Sequence, residues 1–317
     1  MRTLNILLII PGVTDPQKND NRSGKLMPKV LFLLIAGIIP FNSLLAQDQN
    51  LFGKEIKFSS YLIDNYQYDD ATLVLKNLSK ARNLNSNQFD SINYFRGWIN
   101  YNQKNLDTSS FYLSRVSVNS PFFYKSKFYQ AFNTAYTGHH NNAAAILDSV
   151  KMDSVSEYQK LKNFEMASFS LLQHNYKDFE KYEARFDGSY FPIAIEEKSL
   201  SAYYLKIKNH KPKSPLLAGT LSAIIPGSGK YYTGYRGQGV TAFLTVMSLA
   251  AISAESYYRA GPKSVQFISF TSIFAIFYAG NIWGSVSSVK KRNDIFYKEL
   301  ERNVLLDMHV PLRRVFN

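Results

Sequence analysis

Cysteine is absent from all 317 residues. That excludes disulfides, thiolate metal sites, a cysteine nucleophile and a lipidated cysteine at a mature N-terminus, and it leaves the compartment open. Acidic residues are scarce beside basic ones, 24 against 37, for a formal net charge of +13. A nucleic-acid surface would need those positive residues in a stripe. They are scattered instead, and the denser groups, Lys290-Lys291-Arg292 and Arg313-Arg314, follow the last apolar run. Basic residues flanking membrane segments fit that placement, so nucleic acid is not an expected partner. Long hydrophobic runs are also few: the mean hydropathy is only −0.21 at 45% apolar residues, because the apolar residues are concentrated locally.

Convergent catalytic groups are missing as well. Five histidines occur, and only His139-His140 are close, side by side where they share no helical face. Glu196-Glu197 and Asp69-Asp70 are likewise adjacent pairs suited to exposed faces and helix starts. Glu255, close to lipid, either marks the interface or faces a partner inside the membrane. Gly227-Ser228-Gly229-Lys230 resembles the end of a nucleotide-binding loop, but Ile224 stands where that motif needs glycine and Tyr231 where it needs Ser or Thr. No enzyme activity, cofactor, metal or small-molecule substrate is expected.

What is present begins with an export signal. Met27-Pro28-Lys29, the apolar run Val30 to Phe41, and Asn42 to Ala46 before a polar stretch predict a secretory signal peptide over residues 1–46, cut after Ala46, with Met27 as the true start. An uncleaved anchor is the alternative. Either places the following domain beyond the inner membrane.

Residues 50–210 read as helical and repetitive. Small residues at Ala71, Ser109 and Ala143, with Phe179 in the equivalent place, recur at intervals of 38, 34 and 36 residues. Gly97, Ala131 and Ala167 stand twelve residues before the last three, where two helices must approach closely. Leu75, Leu113 and Leu147 follow the small residue by four, on the same helical face. The stretch resembles degenerate tetratricopeptide repeats over about residues 55–186. That resemblance implies an all-α stack of helix pairs that scaffolds a protein partner. The segment is rich in aromatics; core packing explains most of them, and Trp98, Tyr101 and Tyr129 are the candidates for a partner groove.

Pro212 and Pro215 break the last helix of this domain, and a membrane domain over 214–288 follows. Residues 238–256 and 265–284 are two apolar runs of about twenty residues, matching a bilayer core of about 30 Å at 1.5 Å rise per residue. The segment 215–228 is embedded but short: length favours two crossings, charge favours three. Gly280 and Gly284 form a small-xxx-small pair suited to helix packing. Pro226-Gly227-Ser228-Gly229-Lys230-Tyr231-Tyr232-Thr233-Gly234 is similar to the Pro-Gly-x-Gly-x-x-Tyr-x-Gly turn of TM-two-like bacterial membrane domains, with Pro226, Gly227, Gly229, Tyr232 and Gly234 as the turn residues. The resemblance implies a membrane-embedded helical hairpin in the cell envelope and no established chemistry.

Residues 289–317 complete the chain as a basic amphipathic tail, lying on the membrane surface or covering the repeats. The expectation is a non-enzymatic inner-membrane protein whose periplasmic helical repeats recruit or position a protein partner. Its alternative is an accessory component of a membrane transport, membrane-protein insertion or envelope biogenesis machine. Membrane lipid is the second expected partner.

Overall fold

The computed structural model describes residues 42–81, 83–152 and 156–316, with side chains from Leu51 onward. Residues 1–48 form a unit of their own, of which only the start of the first helix is described. The signal-peptide reading of residues 1–46 therefore lies almost wholly outside the described residues.

From Gln49 onward the chain is one compact unit, and no strand occurs among the described residues. The helices are α1 (Asn42–Asp64), α2 (Tyr68–Leu78), α3 (Ser86–Asn102), α4 (Leu106–Ser114), α5 (Phe123–Tyr136), α6 (His140–Asp148), α7 (Glu157–Leu172), α8 (Tyr176–Glu183) and α9 (Phe191–Asn209). Then come α10 (Pro215–Ile224), α11 (Ser228–Tyr232), α12 (Arg236–Ala260) and α13 (Val265–Phe316). The all-α expectation is met.

Helices α1 to α8 form four consecutive pairs joined by tight turns. Each turn contains one residue in the left-handed region: Tyr66, Lys104, Gly138 and His174, at φ of 62°, 65°, 87° and 57°. The amide after each donates to the carbonyl five residues back: Gln67 to Leu62, Asn105 to Asn100, His139 to Thr134 and Asn175 to Ser170, at 2.8–3.0 Å. This is the Schellman closure of a helix end. Three of the four left-handed positions hold bulky residues rather than glycine, so the bonds and the packing of the pairs impose the turn against local preference.

The recurring small positions are where the pairs touch. Ala71, Ser109, Ala143 and Phe179 are fully buried, as are Leu75, Leu113 and Leu147. A Cβ on Gly97 would stand 2.6 Å from the Leu113 side chain, so α3 and α4 meet at that glycine. Ser109 Oγ donates to Gly97 O at 2.8 Å, which occupies the hydroxyl that the approach buries.

The last third leaves many of its apolar residues exposed. Helices α12 and α13 are long and apolar enough to cross a membrane, and only 17% and 6% of their most apolar windows are buried. Leu244, Ile276, Phe277 and Trp283 are exposed, which would be unfavourable in water for so large a patch. The two helices pack antiparallel around Val246 and the Ser253–Thr271 hydroxyl contact.

Candidate functional site

Two sites position the rest: the turn between α10 and α12, and the face of the repeats that receives the end of α13.

Helix α10 starts at Pro215, with Ser214 Oγ accepting from Leu217 N. It runs antiparallel to α13: Lys213 bonds Asn293 in both directions, Gly219 lies against Val286 and Ile282, and Tyr278 OH donates to Ala223 O at 2.6 Å. Ten residues reach about 15 Å, half a bilayer core. The chain then reverses. Gly227 takes φ +83°, and a Cβ there would collide with the carbonyl of Gly239. Helix α11 climbs back, so that Tyr232 O accepts from Lys213 Nζ and Thr233 O from Arg292. The segment 215–228 thus runs out along α13 and doubles back beside it, and among the described residues two helices, α12 and α13, are long and apolar enough to cross a membrane.

A reversal inside an apolar block leaves backbone groups that must be satisfied within the protein. Asn281 meets that need from α13: its Oδ1 accepts from Gly227 N at 2.9 Å and its Nδ2 donates to Ser222 O at 3.1 Å. Ser222 Oγ in turn accepts from Gly229 N at 3.0 Å and contacts Ser285 Oγ at 2.6 Å. Asn281, Ser222 and Ser285 are all buried. Gly229 permits the approach, since a Cβ on it would stand 2.8 Å from Ser285 Cβ. Gly234, at φ +92°, closes α11 against Arg292. Of the turn residues named from sequence, Gly227, Gly229 and Gly234 act through backbone geometry. Tyr232 serves at the rim, its hydroxyl accepting from Ser214 N and its ring facing Lys213 Nζ at 4.6 Å.

The glycine pair read for helix packing is placed elsewhere. Gly280 opens onto no neighbour, and Gly284 meets only the Lys230 side chain. The face of α13 that packs within the chain is the adjoining one, Asn281, Ser285 and Val289. No motif marks that face; a polar residue near the end of an apolar run is the only signal.

At the repeats, Trp98, Tyr101 and Tyr129 do come together. Tyr101 and Tyr129 have ring centroids 4.9 Å apart, and Trp98 lies 5.2 and 5.0 Å from them. Their neighbour is the chain's own C-terminus. Helix α13 does not stop where its apolar part ends; it continues as one helix through the basic segment and crosses α9, α7 and α5. His309 hydrogen-bonds Tyr101 OH and stacks on Phe132, while Phe316 lies against Phe128 and Tyr158, each 5.4 Å away. Leu300, Val304, Met308 and Leu312 are buried along one stripe. Polar contacts border it: Arg314 to Glu196 at 2.9 Å, Tyr203 OH to Asp307 at 2.9 Å, and Lys125 Nζ to the Phe316 carbonyl at 3.0 Å. The aromatic groove anticipated for a partner is filled by this helix. The tail covers the repeats.

Burial dominates the electrostatics here. It pushes the Tyr101 hydroxyl up to about 12 and raises Tyr129 further, with no hydrogen-bond partner for the Tyr129 hydroxyl among the described residues. Glu165, wholly enclosed in α7, is held well above the carboxylate range by desolvation. A gap of about 220 Å³ remains where His140, His174, Tyr297 and Glu301 meet, with His140 Nε2 3.6 Å from Glu301. Burial lowers the His140 pKa, which favours the neutral ring. Among the described residues no three His, Asp or Glu side chains are arranged to hold a metal. Glu255 pairs with Arg259 at 2.8 Å, one helical turn away at the exposed end of α12.

The chain matches no protein-family model, no curated protein and no solved structure.

Proposed function

We propose that this chain is a non-enzymatic, membrane-anchored envelope protein whose tetratricopeptide-like repeats hold a protein partner at a set position above the bilayer. The observation carrying this reading is the continuity of α13, which runs from lipid-facing residues such as Ile276 to the Phe316 pocket without a break. An anchor built into its cargo domain fits a scaffold, because it fixes where the cargo stands. Since the tail occupies the aromatic face, the partner binds another surface of the repeats, such as that around Phe111 and Val118, both exposed.

Two crossings put the repeats and the tail on one side of the membrane. On the export-signal reading that side is the periplasm and the membrane is the inner one, with Gly261 to Ser264 at the cytoplasmic tip. Cysteines introduced at Lys263 and Val118 test this in intact cells. Label reaching Val118→Cys but not Lys263→Cys supports the assignment; the reverse refutes it. Photo-crosslinkers at Phe111 and Ile276 test the scaffold. One discrete protein captured from Phe111 and absent from Ile276 is expected; lipid or background alone at both rejects recruitment.

A second reading, an accessory part of a transport or insertion machine, is favoured by the buried Asn281–Ser222–Ser285 cluster in the embedded block. Removing residues 50–210 together with 299–317 separates the two. A scaffold loses all function, whereas a membrane actor retains some.

A further inference from the structure

The charge at the two ends of the hairpin is unequal. At the end joined to the repeats, Lys230, Arg236, Lys290 and Lys291 stand without an ion-pair partner among the described residues. Structural contacts bring them to one level. Lys230 lies against Gly284 on α13, the Arg236 guanidinium faces the Tyr231 ring at 5.6 Å, and Arg292, in the same basic run, bonds the carbonyl that ends α11. At the far tip the basic residues are Arg259, neutralised by Glu255, and Lys263. Between the ends lies the exposed apolar band. Helix α12 alone has 25 residues, about 37 Å of rise, close to the 40–45 Å between the two headgroup regions of a bilayer.

A positive-inside bias would by itself hold the basic end in the cytoplasm. A domain exported by a signal peptide needs another explanation for unpaired cations at the lipid boundary. Tyr231, 56% exposed beside them, is the residue type that sits among headgroups. A cleft of about 550 Å³ between α11 and α12, lined by Lys230, Gln238 and Thr241, opens at the same level.

We infer that the repeat-side end of the hairpin is a binding surface for anionic phospholipid headgroups, with Lys230, Arg236, Lys290 and Lys291 contacting their phosphates. The inference rests on the membrane reading above and adds the lipid class and the leaflet. Lys213 and Arg292 are kept out of the phosphate-binding set because their donors close the turn. The attraction is electrostatic: each cation near an anionic surface favours binding by about fivefold, so four give roughly six hundredfold at most, weakened by salt.

The chain has two tryptophans, and Trp283 is 76% exposed, one residue from Gly284. A Trp98→Phe variant therefore carries a single reporter beside the proposed surface. It is reconstituted into vesicles of phosphatidylcholine mixed with brominated phosphatidylglycerol or, separately, brominated phosphatidylcholine, and tryptophan quenching gives the relative affinity. The expected result is a phosphatidylglycerol preference of tenfold or more at low salt. It falls toward unity with Lys230, Arg236, Lys290 and Lys291 changed to Gln and is unchanged by Lys263→Gln. Equal quenching by both lipids overturns the inference and leaves the membrane anchor standing, as does a preference that survives the four substitutions. Quenching by neither lipid, with helicity retained and the protein left in the aqueous fraction, overturns the anchor itself.

Discussion

Truncating the chain after Glu299 separates two roles for the tail, a structural strut or a displaceable plug. Five apolar side chains that the truncation removes, Leu300, Val304, Leu305, Met308 and Leu312, are at most 9% exposed against α5, α7 and α9. At about 1.5–3 kcal/mol per buried side chain the stripe contributes roughly 7–15 kcal/mol, an upper estimate because the unfolded chain hides some of that surface. A whole domain has about 5–15 kcal/mol of net stability. A partner with a dissociation constant near 1 μM supplies about 8 kcal/mol, too little to exchange for the stripe and also bind. The tail is therefore a strut. The truncated protein, purified in detergent, should lose the cooperative thermal transition of the repeats by circular dichroism and become sensitive to limited proteolysis between α3 and α9. A truncated form that melts cooperatively within a few degrees of the full chain would refute this reasoning and reopen the groove to partners. Met308→Ala is the milder version, and a loss of about 2–5 kcal/mol is expected.

Neighbouring positions on α13 should respond in opposite ways. Asn281→Leu leaves Gly227 N and Ser222 O unbonded in an apolar setting and should cost about 2–4 kcal/mol, whereas Gly280→Leu enters open space and should change stability by about 0.5 kcal/mol or less. Unfolding midpoints in detergent check the pair, and equal losses would mean that the reversal is not what Asn281 holds. Glu197, expected on an exposed face, is instead buried with Glu196 in α9, and its carboxyl gives a pH signature. Desolvation raises its pKa to about 7, against a backbone hydrogen bond from Asp187 that lowers it. The folded state then keeps a proton that the unfolded chain has released, so stability falls as pH rises from about 4.5 to 7 and is level above, by at most about 3 kcal/mol. Glu197→Gln should raise the melting temperature at pH 8 more than at pH 5; an identical shift at both would reject the assignment.

The recurring register of the repeats was legible because it is a packing requirement. Ala71, Ser109 and Ala143 sit where a neighbouring helix leaves no room, and each is fully buried. The turns were less legible. Tyr66, Lys104 and His174 take a left-handed backbone that their side chains disfavour, and only the bonds back to α1, α3 and α7 explain them. The hairpin was plain from hydropathy, but the direction of α10 was not. Ten apolar residues fit a half-crossing or an extended one equally, and the reversal depends on Asn281, more than fifty residues away. The tail shows a further limit. Leu300, Val304 and Leu305 announce an apolar face without saying what covers it, and the aromatic residues of α3 and α5 say as little about whether their ligand comes from another molecule.

One helix joins the exposed apolar hairpin to the repeats. Helix α13 has 52 residues, a length of about 78 Å, and between Gly284 and Pro311 it contains no glycine or proline at which to bend. The other connection between anchor and repeats is also fastened: the His210 ring stacks on Phe296 at 3.7 Å, and Lys213 is bonded twice to Asn293. A loose tether would let the repeats sample a hemisphere and would dilute any bound partner over it. Two fastened connections remove that freedom, so on the proposed membrane reading the repeats would stand at one height and one angle above the lipid. That height is set by the residues from Arg292 to Phe316, about 36 Å of helix. A basic surface gripping the headgroups at the foot of this strut would resist tilting of the anchor. On that proposal the unpaired cations and the unbroken helix would be parts of the same device, one fixing depth and the other fixing reach.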